Sequence, residues 1–347
     1  MTSQLSTPRF RLGFLTHVQG RGDLTATYRN AQELFVVADE LGFDVGWVAQ
    51  HHAPLGGGGL PSPWTFLAHA AARTKRIRLA TAITILPLEH PLRLAEDISV
   101  VDTLSGGRVE LGVGSGYGPV EYAAFGADFD DKRQLTTDRL AIVRQALANQ
   151  EVGTSGFTIQ PPAGDFTSRI WQGVFSAAGA AYAAAAGSNL LLNRATYGYA
   201  EPTDQVQRPW AEEFLANWSQ PHRPRIGLSR FIFPARDKRA ALAQIEDGVL
   251  RGAEGFVQRG QFPAGLSTED YLRRFHAFYG HPDEITGALQ AERALPLATD
   301  LIAQFNPGVP DHDAALRALE LIATKIAPAL GWGPATEPAR IAEPTAV

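Results

Sequence analysis

Strand-like and helix-like segments alternate along almost the whole chain, and this alternation constrains the fold more than any other feature. Short apolar or β-branched runs at 10–16, 45–49, 77–86, 108–112, 173–176, 190–192, 225–233 and 300–305 read as strands. Helical periodicity lies between them at 27–41, 63–73, 91–104, 131–149, 177–186, 201–218, 237–258 and 282–294, and a last helix follows at 311–327. In the first helix Tyr28, Ala31, Leu34, Phe35, Ala38 and Leu41 share one face, the stripe that packs on a sheet. Pro91 opens a helix where no N–H is required, and Ser105-Gly106-Gly107 stops it. Residues 259–280 read as an insertion with one helix at 268–278. Strands separated by helices pair in parallel. Eight of them close an α/β fold of the (β/α)8 TIM-barrel type; an open doubly wound sheet is the alternative. One domain is expected over 1–332, with a loose tail at 333–347.

Composition removes several functions. Lys and Arg number 31 and Asp and Glu 36, a net charge of −5. A chain so balanced offers no basic face to nucleic acid. The absence of cysteine excludes disulfides, thiolate metal sites and cysteine nucleophiles. The polar start lacks the apolar core of a signal peptide, and no apolar run approaches the roughly 20 residues of a membrane span. The expectation is a cytoplasmic protein with no membrane or nucleic-acid partner.

In such a barrel the chemistry sits at the carboxyl ends of the strands. Those ends hold His17, Gln50, His51, His52, Glu89, the run Gly112 to Gly118, Ser176, Asn193, Arg194, Tyr197, Arg230 and Gln304. The most telling is the pair His51-His52, delivered by an apolar strand and followed by Ala53-Pro54-Leu55 and Gly56 to Gly59. Neighbouring side chains on a strand diverge, so the two rings do not share an ion. Carboxylates are scarce at these ends and no His-Glu-x-x-His occurs, so no metal is expected. Gly114-Ser115-Gly116 lacks the G-x-S-x-G spacing of a nucleophile elbow. Glycines at every second position from 112 to 118 miss the G-x-G-x-x-G pattern, and Pro119 is expected to keep a helix from starting at once. Alternating glycines either offer a flat surface to a planar ring or form a turn-rich loop. Ser176-Ala177-Ala178-Gly179 runs from a strand into a helix. Its free N–H groups and the helix dipole favour a phosphate, unless Ser176 is simply a cap.

Together these segments resemble the bacterial-luciferase-like flavin monooxygenase family. The resemblance rests on Gly42-Phe43-Asp44, Trp47-Val48-Ala49-Gln50-His51-His52 and Arg73-Thr74-Lys75. It continues through Leu86-Pro87-Leu88-Glu89-His90-Pro91-Leu92-Arg93-Leu94-Ala95-Glu96-Asp97, Asp102-Thr103-Leu104-Ser105-Gly106-Gly107-Arg108 and Leu111-Gly112-Val113-Gly114. It is strong over about 10–190 and looser over 260–347. It implies a barrel that binds reduced FMN at its mouth, activates O₂ and oxidises a small aldehyde- or ketone-like substrate. His51 then matches the catalytic histidine, and His52 is structural. Ala82-Ile83 matches a non-prolyl cis peptide beneath the ring, and Ser176, Ala177 and Gly179 match the phosphate turn. Gly114 and Ser115 stand where luciferase has a reactive cysteine and a phosphate-binding arginine, so light emission is not implied. Gln50 stands where relatives often place an acid. Arg194 is the replacement cation for the phosphate. The implied partners are a separate flavin reductase and a second copy of the chain. The homodimer would form through the helices after the second and third strands, where Ala68, Ala70, Ala71 and Ala72 permit close contact. A deazaflavin-dependent dehydrogenase and a non-catalytic flavin-binding subunit are the alternatives.

Overall fold

The computed structural model describes residues 10–20, 23–52, 59–154 and 156–334. The expected loop through Gly56 to Gly58 and the expected tail beyond residue 334 lie outside the described residues. Ten strands are present among the described residues. They are β1 (Arg11–Thr16), β2 (Val45–Val48), β3 (Arg78–Thr81), β4 (Thr84–Ile85), β5 (Val109–Gly114), β6 (Ile170–Val174), β7 (Asn189–Leu192), β8 (Ile226–Pro234), β9 (Ala277–Gly280) and β10 (Asp300–Gln304). Eight of them, β1, β2, β3, β5, β6, β7, β8 and β10, pair in parallel in that order. β10 pairs with both β1 and β8, placing Asp300 opposite Arg11 and Gly227. The sheet is therefore closed, the (β/α)8 TIM barrel, and the open alternative falls.

The helices are α1 (Leu24–Glu40), α2 (Pro63–Arg73), α3 (Pro91–Ser105), α4 (Pro119–Ala124), α5 (Lys132–Leu147), α6 (Ala177–Ala185), α7 (Thr203–Ala216), α8 (Lys238–Gln258), α9 (Thr268–Arg274), α10 (Pro282–Gln290) and α11 (His312–Leu321). Local chemistry sets their ends. The Asp23 carboxylate accepts from the N–H groups of Thr25 and Ala26 to start α1. Gly106, at φ 71°, ends α3 in the left-handed conformation that glycine adopts freely.

Four sequence expectations change. The single strand at 77–86 is broken into β3 and β4 by a cis peptide between Ala82 and Ile83. Pro119 does not delay a helix; it occupies the first turn of α4, where a missing N–H costs nothing. β6 starts at Ile170, three residues before the expected 173. The helix at 268–278 stops at Arg274, because His276 takes φ 52° and the chain continues as β9. β9 pairs with the far end of β8, Phe231 to Pro234, while Gly227 to Phe231 pair with β10. β8 thus forks, its lower half closing the barrel and its upper half carrying the insertion.

The barrel interior is packed solid. Trp47 and Trp171 meet edge to face at 5.4 Å among Leu15, Val45, Ala80, Leu191 and Ile302. The amino-terminal end is sealed by charge. Glu110, 0% exposed, accepts from Arg11 (2.9 Å), Arg78 (2.6 Å) and the Trp171 indole (2.7 Å). Asp300 takes Arg11 and Arg225 at 2.7 and 2.8 Å. Among the described residues the carboxyl end is therefore the unsealed end of the barrel. On the outside, Ala70 and Ala71 are buried within the chain itself, so the alanine stripe expected at a dimer contact leaves only Ala68 and Ala72 towards an outer face.

Candidate active site at the carboxyl mouth of the barrel

The break between β3 and β4 shapes the floor of the mouth. Thr81 bridges the gap to β5 with its hydroxyl, donating to the Gly112 carbonyl (2.8 Å) and accepting the Gly112 N–H (3.1 Å). Gln50, 2% exposed, holds the other side. Its side-chain oxygen accepts the Ile85 N–H (2.6 Å), its amide donates to Glu89 (2.6 Å), and its own N–H donates to the Ile83 carbonyl (3.3 Å). Glutamine can do both jobs because its amide donates and accepts.

The alternating glycines answer to this break. A Cβ on Gly112 would lie 1.9 Å from the Thr81 carbonyl oxygen. One on Gly114 would meet Ile83 at 3.1 Å, and one on Gly116 would meet Ile85 at 2.8 Å. Gly173 on β6 faces Ile83 at 3.2 Å. Each glycine makes room for the bent neighbour, and the bend lifts the half-buried Ala82 and Ile83 into the mouth. The flat surface is therefore made by Ala82 and Ile83, with the glycines behind it. Gly112→Ala is expected to cost about 3 kcal/mol, since a backbone oxygen cannot yield. Gly114→Ala, opposed by a side chain, should cost about 1 kcal/mol. Equal losses in urea melts of the two variants would contradict this account.

His51 and His52 diverge as their strand position dictates. The His52 N–H donates to Glu121 of α4 (2.9 Å), and its ring lies 4.4 Å from that of Phe125. His51 turns to the barrel axis. Its N–H is held by the Leu60 carbonyl (3.0 Å), and its ring stacks at 5.6 Å on that of His17, from the end of β1. Burial lowers the His51 pKa below 6.5; Glu121 opposes this, and His52 and Arg194 add to it. Burial, His51 and Arg194 push His17 well below 6.5. Both rings are neutral at pH 7.

Several buried polar atoms in this mouth have no hydrogen-bond partner: His51 Nε2, His17 Nδ1, Arg194 Nε and Tyr197 Oη. Buried polar atoms are ordinarily paired. The four belong to one group, linked by the stack of His17 on His51 and by the charge of Arg194 on His17, His51 and Tyr197.

Arg194 follows β7, and its contacts turn away from β6. Its Nη1 reaches Gln304 on β10 at 3.4 Å, its guanidinium lies 5.6 Å from the Phe275 ring, and its charge acts on His17, His51, Tyr117 and Tyr197. The expected pairing of Arg194 with the Ser176 turn is not among these contacts. Ser176 is exposed at the start of α6, and its hydroxyl accepts the Gly179 N–H (3.1 Å). The first N–H groups of a helix have no partner within it, so Ala177 and Ala178 present theirs at this exposed end. Ser115 is half-buried on the loop after β5, and the Tyr122 hydroxyl donates to its carbonyl. His17 and Tyr197 stand among the strand ends named from the sequence, which assigns neither of them a role.

A cavity of about 760 Å³ opens beside Tyr197, between the β7–α7 loop and the insertion. Phe262, Leu266, Arg273, Arg274 and His276 line its far side. Below it, burial pushes Glu292 up, but Arg230 at 2.7 Å and His276 at 2.8 Å outweigh that and hold its carboxyl at about 2. Among the described residues no three histidine, cysteine or carboxylate side chains gather as a metal site, and no helix is long and apolar enough to cross a membrane.

A closed parallel barrel with a sealed base, unpaired imidazole and guanidinium atoms at its mouth and a cavity alongside defines a (β/α)8 barrel with a polar carboxyl-end mouth. The chain belongs to the luciferase-like monooxygenase family, whose model matches residues 9–319. The 4-hydroxyprotoasukamycin monooxygenase of Streptomyces nodosus subsp. asukaensis is 40% identical over 119 residues, 34% of this chain and 32% of that protein. The matched segment thus spans about a third of the curated relatives. The monooxygenase RslO1 from Streptomyces bottropensis superposes with a TM-score of 0.76 at 25% identity, over 92% of this chain and 99% of its own. The oxygenating constituent of 3,6-diketocamphane monooxygenase from the CAM plasmid of Pseudomonas putida, solved with FMN, gives 0.73 at 18% identity over 92% and 98%, a likeness of fold.

Proposed function

We propose that this protein is a monooxygenase that takes reduced FMN from a separate flavin reductase and oxidises a small aldehyde- or ketone-like substrate with O₂. The observation that carries the reading is the unpartnered, neutral His51 imidazole beside the raised Ala82-Ile83 floor. Family membership supports it, as does FMN in the diketocamphane constituent. The residues present fit a flavin. Ala82 and Ile83 would lie under the ring, Gly114 and Ser115 at its edge, and the turn from Ser176 through Ala177 to Gly179, with the free N–H groups of Ala177 and Ala178, at its phosphate. Bound reduced FMN would supply the two electrons that O₂ reduction requires. His51 Nε2, free and held by a backbone anchor, takes or returns a proton beside the ring. His17 stacks behind His51 and keeps it turned to the axis. The buried mouth keeps bulk water from the reacting atoms.

FMN titration followed by quenching of Trp47 and Trp171, directly beneath the floor, tests the cofactor. FMN should quench saturably, and riboflavin, lacking the phosphate, should bind at least about tenfold more weakly. A deazaflavin titration in parallel decides between cofactors: tighter binding of the deazaflavin, or no quenching by FMN, removes the reading.

A further inference from the structure

Two arginines among the described residues are more than nine-tenths buried, Arg230 at 0% and Arg194 at 7% exposure. Arg230 is neutralised by Glu292 through two hydrogen bonds of 3.2 and 2.7 Å. Arg194 has no carboxylate partner among the described residues. Its side chain makes one long hydrogen bond, to Gln304, and its Nε makes none. An unpaired buried cation is costly, and a protein that carries one has an anion for it. The neighbouring groups supply none. His17 and His51 are neutral, and Glu121 is engaged by the His52 amide. The rings around Arg194 are apolar or aromatic: Phe275, Tyr197 and Tyr117. Tyr197 adds an unpartnered hydroxyl and borders the cavity of about 760 Å³, a volume suited to a small organic molecule.

We propose that Arg194 and the Tyr197 hydroxyl receive a carboxylate on the organic substrate, whose ring-bearing or apolar body occupies the adjoining cavity. The substrate class is then a small organic acid bearing the carbonyl to be oxidised. The guanidinium meets a carboxylate through paired N–H donors, which fixes the orientation of the molecule before His51. This inference rests on the reading of the mouth as a substrate site. It replaces the assignment of Arg194 to the cofactor phosphate.

The test uses the flavin-free full chain with benzoate and benzamide, which share a ring and differ in charge, and reads binding by calorimetry. Benzoate should bind, and benzamide at least about tenfold more weakly. Arg194→Gln should lose at least about tenfold in benzoate affinity and keep the FMN affinity of the parent. Should Arg194→Gln fail to fold, Arg194→Lys, which keeps the charge but not the planar fork, should show the same ranking with a smaller loss. Equal benzoate binding by parent and variant, or none by the parent, overturns the proposal. So does a variant that loses FMN but retains riboflavin, since that assigns the cation to the phosphate. None of these outcomes depends on turnover, so failure of the monooxygenase reading is seen separately, in the flavin titration.

Discussion

His51→Ala should lower kcat/KM by about 10²–10⁴-fold, the range lost when a positioned proton-transfer group is removed, and leave FMN affinity unchanged. The separation is expected because Nε2 is free while the backbone of His51, not its ring, secures the loop to Leu60. The pH profile carries the same information. His51 must be neutral to accept a proton, and burial lowers its pKa. The acid limb of kcat/KM should therefore fall at a pH below 6.5 and disappear in the variant. Stopped-flow and steady-state rates across pH measure both. Turnover by His51→Ala at the parent rate would place the proton transfer elsewhere.

A stability loss as large as any expected here should come from the sealed end of the barrel. Glu110→Ala removes the carboxylate shared by Arg11, Arg78 and Arg225 and the partner of the Trp171 indole. Breaking a buried ion pair by removing one partner costs about 3–5 kcal/mol. The arginine side chains are 19–28% exposed, which places the expected loss near the lower figure, about 3 kcal/mol. Urea denaturation reads it, and FMN affinity at the far end should not move. A loss under about 1 kcal/mol would mean that the arginines find water as good a partner as Glu110.

The barrel was readable from the sequence because its signals are local. Each of the eight predicted strand runs overlaps a barrel strand, and α2 occupies the predicted 63–73 without change. The misses have non-local causes. The cis peptide at Ala82-Ile83 stands where the family resemblance placed it, but the strand break that goes with it shows in no periodicity, only in the room that Gly112, Gly114 and Gly173 leave for it. β9 follows a helical stretch without any turn dipeptide, and its pairing partner is the far end of β8. The His51 and Ser176 positions could be named from strand ends and small-residue turns. His17 and Tyr197 stood among the same strand ends but without a role, since they reach His51 and Arg194 only when the ends of β1, β2 and β7 share one rim. Arg194 was picked as a cation, but its direction came from the contact with Gln304, 110 positions away in sequence.

The fork in β8 separates two tasks along one strand. Hydrogen bonds from Gly227 to Phe231 keep the cylinder shut, and those from Phe231 to Pro234 carry the segment that walls the cavity. Substitutions at Leu266 or Arg274, which are not buried, can thus change the outline of the chamber while the staves below keep every bond that holds them together.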